Sequence, residues 1–149
     1  MKTSLPTSKT PQEIEDEART WIGTPFVDRG RVKGVGVDCG GLIYELFRPC
    51  ISAPPAFPYY PSDWPLHRDN EIYLDFMQPF VEEIDFPEQA DITMWRFGRN
   101  FSHGTLMTKR NTYIHAYGYR AHGSVQENAP SFFSGRACKH FRFLGLDRS

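Results

Sequence analysis

Apolar positions recur at helical spacing twice in the first third of the chain. In TPQEIEDEARTWIG, Ile14, Ala18, Trp21 and Ile22 fall on one helical face. Thr10 suits the cap, Pro11 the first helical position, and Glu13 completes a Thr-x-x-Glu capping box, with Gly23 as the stop. A second helix is predicted from Asp38 or Cys39, with Leu42, Ile43, Leu46 and Phe47 along one buried side until Pro49 ends it. Between the two helices, GTPFVDRGRVKGVGV carries glycines at irregular intervals and is expected to be a loop wrapping closely around something.

The pattern then changes. PCISAPPAFPYYPSDWPLHR, residues 49 to 68, is too rich in proline for a central strand or helix and is predicted to be a long surface connection. Its aromatics Tyr59, Tyr60 and Trp64 suit covering a core better than stacking on sugar rings. A short helix is expected around Asn70 to Met77. After Pro87 the period falls towards two in ADITMWRF, HGTLMT, TYIHAY and GSVQEN, with KHFRFLG closing the chain, and these segments are predicted as antiparallel strands. Helices first and a meander of strands afterwards give an α+β domain: N-terminal helices packed on one face of an antiparallel sheet of about five to six strands.

Length and charge narrow the function. A chain of 149 residues suits one domain, expected over residues 10–149 behind a disordered tail at 1–9. With 17 basic and 18 acidic residues there is no general attraction to nucleic acid or to an anionic membrane, so neither is expected as a partner. The opening MKTSLPTSKT has no apolar core of a signal peptide, and synthesis in the cytoplasm without an export signal is expected. Three cysteines, Cys39, Cys50 and Cys138, show neither a disulfide framework nor a CxxC zinc pattern. No cofactor is implied, and a metal on Cys39, His103 and His115 lacks a fourth ligand of carboxylate or thiolate type.

The stretch GVGVDCGGLIYELF places Cys39 in the first turn of the second helix, where unpaired backbone N–H groups favour a thiolate. Gly40 and Gly41 leave room for a substrate carbonyl, and the Cys39 N–H is placed to donate to an oxyanion. Packing as a small buried hydrophobe is the other reading of this stretch taken alone. A nucleophile needs a base and something to orient that base. His103 in SHGTLMT and His115 in YIHAY are separated by a connection centred on Lys109, Arg110 and Asn111. A three-residue loop there sets residue 103 opposite Tyr117 and His115 on the diagonal of the same face, so the two imidazoles meet. A two-residue loop sends them to opposite faces. In the favourable register Cys39, His103 and His115 form a Cys-His-His triad. His67, His122 and His140 are assigned to surface or packing.

GVDCGGLIYELF resembles the "DCSGL" helix start of the NlpC-type cell-wall cysteine peptidases, a circularly permuted papain-like family. SHGTLMT followed by NTYIHAY resembles that family's "HVGI…miHA" strand pair, in the same order Cys, His, His. ARTWIGTPF, KGVGVDCGGL, YPSDWPLH, QADITMWRF and the closing FRF resemble its phage-associated branch, so the likeness spans roughly residues 11 to 145. The resemblance implies a permuted papain-like domain, Cys39 as nucleophile, His103 as general base and later acid, and His115 as the orienting member. It also implies a peptidoglycan stem peptide as substrate, cut between D-γ-Glu and a diamino acid, with Asp38 holding the free amine of an L-Ala. Phage-tail proteins become partners under this reading, and the cell wall the place of action. Phe26 stands where "GTPY" has tyrosine, and Gly40 where "DCSG" has serine, so two hydroxyls are missing from the region that reads the substrate. A catalytically inert tail or assembly protein keeping the fold, and a papain-like amidase or acyltransferase, are the competing readings.

Overall fold

A computed structural model of the chain describes residues 8–119 and 122–149. The first seven residues of the expected tail lie outside the described residues. Helix α1 (Pro11–Thr20) forms both halves of its capping box: the Glu13 N–H donates to Thr10 Oγ1 (3.2 Å), and the Thr10 N–H to Glu13 Oε1 (3.1 Å). It buries Ile14 and Ala18 against α2 (Cys39–Phe47), and its Arg19 forms ion pairs with Glu15 and with Glu127 across the domain. Gly23 ends the first helical segment with φ at +94°, a conformation that costs a side-chain-bearing residue.

The segment between these helices is not all loop. Arg31–Val32 (β1) and Gly36–Val37 (β2) form a small antiparallel ladder. Only two residues per strand pair, too few for a period to show in the sequence. The proline-rich connection also departs from the surface path expected of it. It contains a short helix α3 (Trp64–His67) and buries Tyr60 and Trp64 at 5% and 2% exposure, leaving Tyr59 at 78%. Prolines deny this segment a ladder, but burying the large rings of Tyr60 and Trp64 still ties it to the core. Helix α4 (Ile72–Met77) follows and buries Tyr73.

Six strands make one antiparallel sheet: β3 (Val81–Ile84), β4 (Ile92–Phe97), β5 (Asn100–Met107), β6 (Tyr113–Tyr117), β7 (Ser124–Asn128) and β8 (Cys138–Phe143). Their order is β3-β8-β4-β5-β6-β7, so the meander β4 to β7 is extended on its other side by the returning C-terminal strand. Strand β3, of sequence VEEI, goes beyond the predicted strands. Alternation separates the two faces. Ile92, Met94, Leu106, Ile114, Ala116 and Phe141 join the main core with α1 and α2. Trp95, Phe97, Met107 and Tyr113 form a second aromatic cluster with Phe133, from the 3₁₀ turn Pro130–Phe133. The helices thus pack on one face of the sheet, as the α+β pattern required. Among the described residues no helix is long and apolar enough to cross a membrane.

Candidate active site

Strands β5 and β6 meet in the register that brings the two histidines together. Leu106 lies opposite Ile114 and Met107 opposite Tyr113. The turn is closed by the Thr108 N–H on the Thr112 carbonyl (2.8 Å) and the Asn111 N–H on the Thr108 carbonyl (3.1 Å), leaving Lys109, Arg110 and Asn111 as a three-residue loop. Asn111 takes φ of +61°, the left-handed position that such a loop requires and that asparagine tolerates. His103 and His115 therefore share a face, with Nε2 of His103 2.8 Å from Nδ1 of His115.

A third residue extends this pair. His115 Nε2 lies 2.8 Å from Asn128 Oδ1, and the same oxygen accepts from Gln126 Nε2 at 2.7 Å. An amide oxygen only accepts, so His115 carries its proton on Nε2 and offers the Nδ1 lone pair. His103 must then donate from Nε2, which leaves its Nδ1 unprotonated and able to take a proton. Both rings are neutral. Burial, together with the neighbouring His115 and the Arg136 guanidinium, holds His103 well below the usual imidazole range. Burial brings His115 down to about 4, against the upward pull of its bond to Asn128.

Cys39 occupies the first turn of α2 as expected, and Asp38 is the cap, its Oδ1 accepting the Gly41 N–H at 2.7 Å. The thiol, however, donates to the Ser102 carbonyl (3.3 Å), one residue short of His103. That carbonyl sits at a bulge in β5: Trp95 pairs with His103 and Arg96 with Phe101, so Ser102 is the extra residue. The helix start does not yield a resting thiolate. Burial pushes the Cys39 thiol up to about 12, and the adjacent Asp38 carboxylate adds to this, outweighing the Gly104 and Gly40 N–H groups and the Tyr73 hydroxyl that favour the anion. Tyr119 borders His103, with ring centroids 6.5 Å apart, and burial, helped by a charge on Cys39, raises its phenol to about 12.

The other expected substrate-reading positions are occupied from within the chain. Asp38 is 3% exposed, and its Oδ2 accepts the Arg29 N–H (2.9 Å) and the Tyr60 hydroxyl. At Gly40 the space a side chain would take is filled by a tyrosine ring. A Cβ there would lie 2.6 Å from both Cζ and the hydroxyl oxygen of Tyr73. Gly41 likewise admits the Gly30 carbonyl, 2.6 Å from where its Cβ would be. The Phe26 ring packs against Gly118, where an added Cβ would meet it at 2.5 Å. Asn128, Tyr60 and Tyr73 were not singled out from the sequence as site residues; Asn128 carries no motif, Tyr60 reaches the site because the proline-rich segment folds back, and Tyr73 comes from α4.

Comparison with known proteins places this architecture. The fold is similar to that of the NlpC/p60 domain of the peptidoglycan hydrolase SagA, with a TM-score of 0.60 and 18% sequence identity, covering 87% of this chain and 97% of that one. No family model matches the chain, and no curated protein matches it.

Proposed function

We propose that this chain is a cysteine endopeptidase that hydrolyses amide bonds in peptidoglycan stem peptides, between D-γ-Glu and a diamino acid. The observation that carries the reading is the hydrogen-bond chain from Asn128 through His115 to His103, which leaves His103 Nδ1 as a free base on the strand whose Ser102 carbonyl the helix-start Cys39 thiol meets. The fold shared with a peptidoglycan hydrolase domain supports the substrate class. Delivery to the wall as part of a phage tail belongs to the same proposal, on the segments that resemble the phage-associated branch.

Chemistry starts from a neutral thiol and a neutral imidazole. His103 Nδ1 takes the Cys39 proton as sulfur attacks the scissile carbonyl, and the N–H groups at the start of α2 receive the oxyanion. His103, now protonated and steadied by His115, returns its proton to the departing amine. Water then hydrolyses the thioester by the reverse proton path. No step demands a pre-formed thiolate.

Purified sacculi or a stem tetrapeptide incubated with the protein should release new amines, and Cys39→Ala should reduce release by at least about 10³-fold. Equal release by both proteins would sink the peptidase reading. One observation favours the second reading, an inert assembly protein that keeps the fold: the Cys39 thiol is bonded to Ser102 rather than to His103. Absence of release by the unmodified chain would select it.

A further inference from the structure

Two buried tyrosines stand between Asp38 and the thiol. The Tyr60 hydroxyl donates to Asp38 Oδ2. Its ring meets that of Tyr73 edge-on, with centroids 5.2 Å apart. Tyr73 is 7% exposed and is wedged by Trp64 on one side, at 5.0 Å between centroids, and by Gly40 on the other. Its hydroxyl is thereby held against the residue that follows the cysteine. From there it favours the anionic form of both Tyr60 and Cys39. A phenol has one proton to give, and Tyr60 has already given its own to Asp38. The Tyr73 proton therefore has two competing acceptors, the Tyr60 oxygen and the Cys39 sulfur.

We infer that Tyr73 is a switching hydrogen-bond donor to the nucleophile: its hydroxyl points to Tyr60 while Cys39 is a thiol bonded to Ser102, and turns to the sulfur when that proton leaves. The proton balance is simple. The Cys39 proton passes to His103 Nδ1, the bond to the Ser102 carbonyl is lost with it, and the anionic sulfur gains the Tyr73 O–H as its new donor. Nothing leaves the site, and Tyr60 keeps its bond to Asp38. A charged acceptor attracts the donor more strongly than a neutral phenol oxygen does, which sets the direction of the turn. The residue thus supplies a hydroxyl to the neighbourhood of position 40, where this chain has lost the serine of the resembling motif. This inference rests on Cys39 as the reacting group, and not on the substrate proposed above.

Alkylation of Cys39 by iodoacetamide tests it without any substrate. Modification is followed by mass mapping of the Cys39 peptide, so Cys50 and Cys138 do not contribute, over a pH range from about 7 to 11. Tyr73→Phe keeps the ring and removes the donor. It should move the alkylation profile to higher pH and slow the reaction at pH 9 by about threefold to tenfold. Replacing Tyr73 by 3-fluorotyrosine, a stronger donor of nearly the same shape, should move the profile the other way. Profiles that superimpose for all three proteins, at unchanged melting temperature, overturn the inference even if the chain hydrolyses stem peptides. Opposite displacements support it even if no amide hydrolysis is found. If the phenylalanine variant does not fold, the fluorotyrosine arm decides alone.

Discussion

Asn128 sets a proton position two residues away from the sulfur. Its oxygen, oriented by Gln126, forces Nε2–H on His115 and hence a free lone pair on His103 Nδ1. Asn128→Ala removes that instruction without touching Cys39 or His103. In the proposed peptidase, kcat on a stem peptide should fall by roughly tenfold to a hundredfold with KM little changed, because the base spends part of its time in the wrong tautomer. An unaltered kcat would mean that His115 is oriented by something else. The helix-start position of Cys39 and the meeting of His103 with His115 were legible in the sequence because reactive residue types stood at a helix start and at matching strand parity. Asn128 was not, since an asparagine at a strand end looks like punctuation until the β6–β7 register, with His115 opposite Gln126, shows what it faces.

At the level of elements, the loop 109–111 holds the site together. Sequence reasoning reduced it to a three-residue or a two-residue loop, each with its own register, because a short hairpin is decided by neighbours in the chain, and the fold adopts the three-residue form. Asn111→Val puts a β-branched residue at φ of +61° and should cost about 1–2 kcal/mol, a fall in melting temperature of roughly 2–8 °C, while Asn111→Gly should change it little. If both variants melt together, the left-handed turn is not what fixes the register. Strand β3 escaped the same reasoning for a physical reason. VEEI exposes both central glutamates and buries neither end fully, so no period marks it, and its pairing with β8 joins segments far apart in the chain. The α1 capping box lies at the opposite extreme, fully local and fully anticipated.

The molecule as a whole should be sensitive to acid. In the unfolded chain both site histidines take up protons below about pH 6.5, whereas in the fold they stay neutral, His115 down to about pH 4. The unfolded state then binds more protons than the native one, so stability is lost as pH falls through this window, at roughly 1.4 kcal/mol per pH unit for each histidine. The ion-paired Glu15 and Glu127, with carboxyls held below their ordinary range, add to the loss at lower pH, and Asp38, raised by burial, opposes it. Melting temperature should therefore drop steadily from pH 7 to 4.5, and His115→Gln should flatten the decline. A level curve for the unmodified chain would contradict the neutral pair.

Gly40 and Tyr73 lie far apart in the sequence yet claim the same few cubic ångströms beside the thiol. In this chain, bulk at the two positions is therefore tied. A chain that acquires a side chain directly after its cysteine must first clear the ring from α4, and one that keeps the ring is held to glycine. Position 73 can shrink alone, but position 40 can grow only after it has.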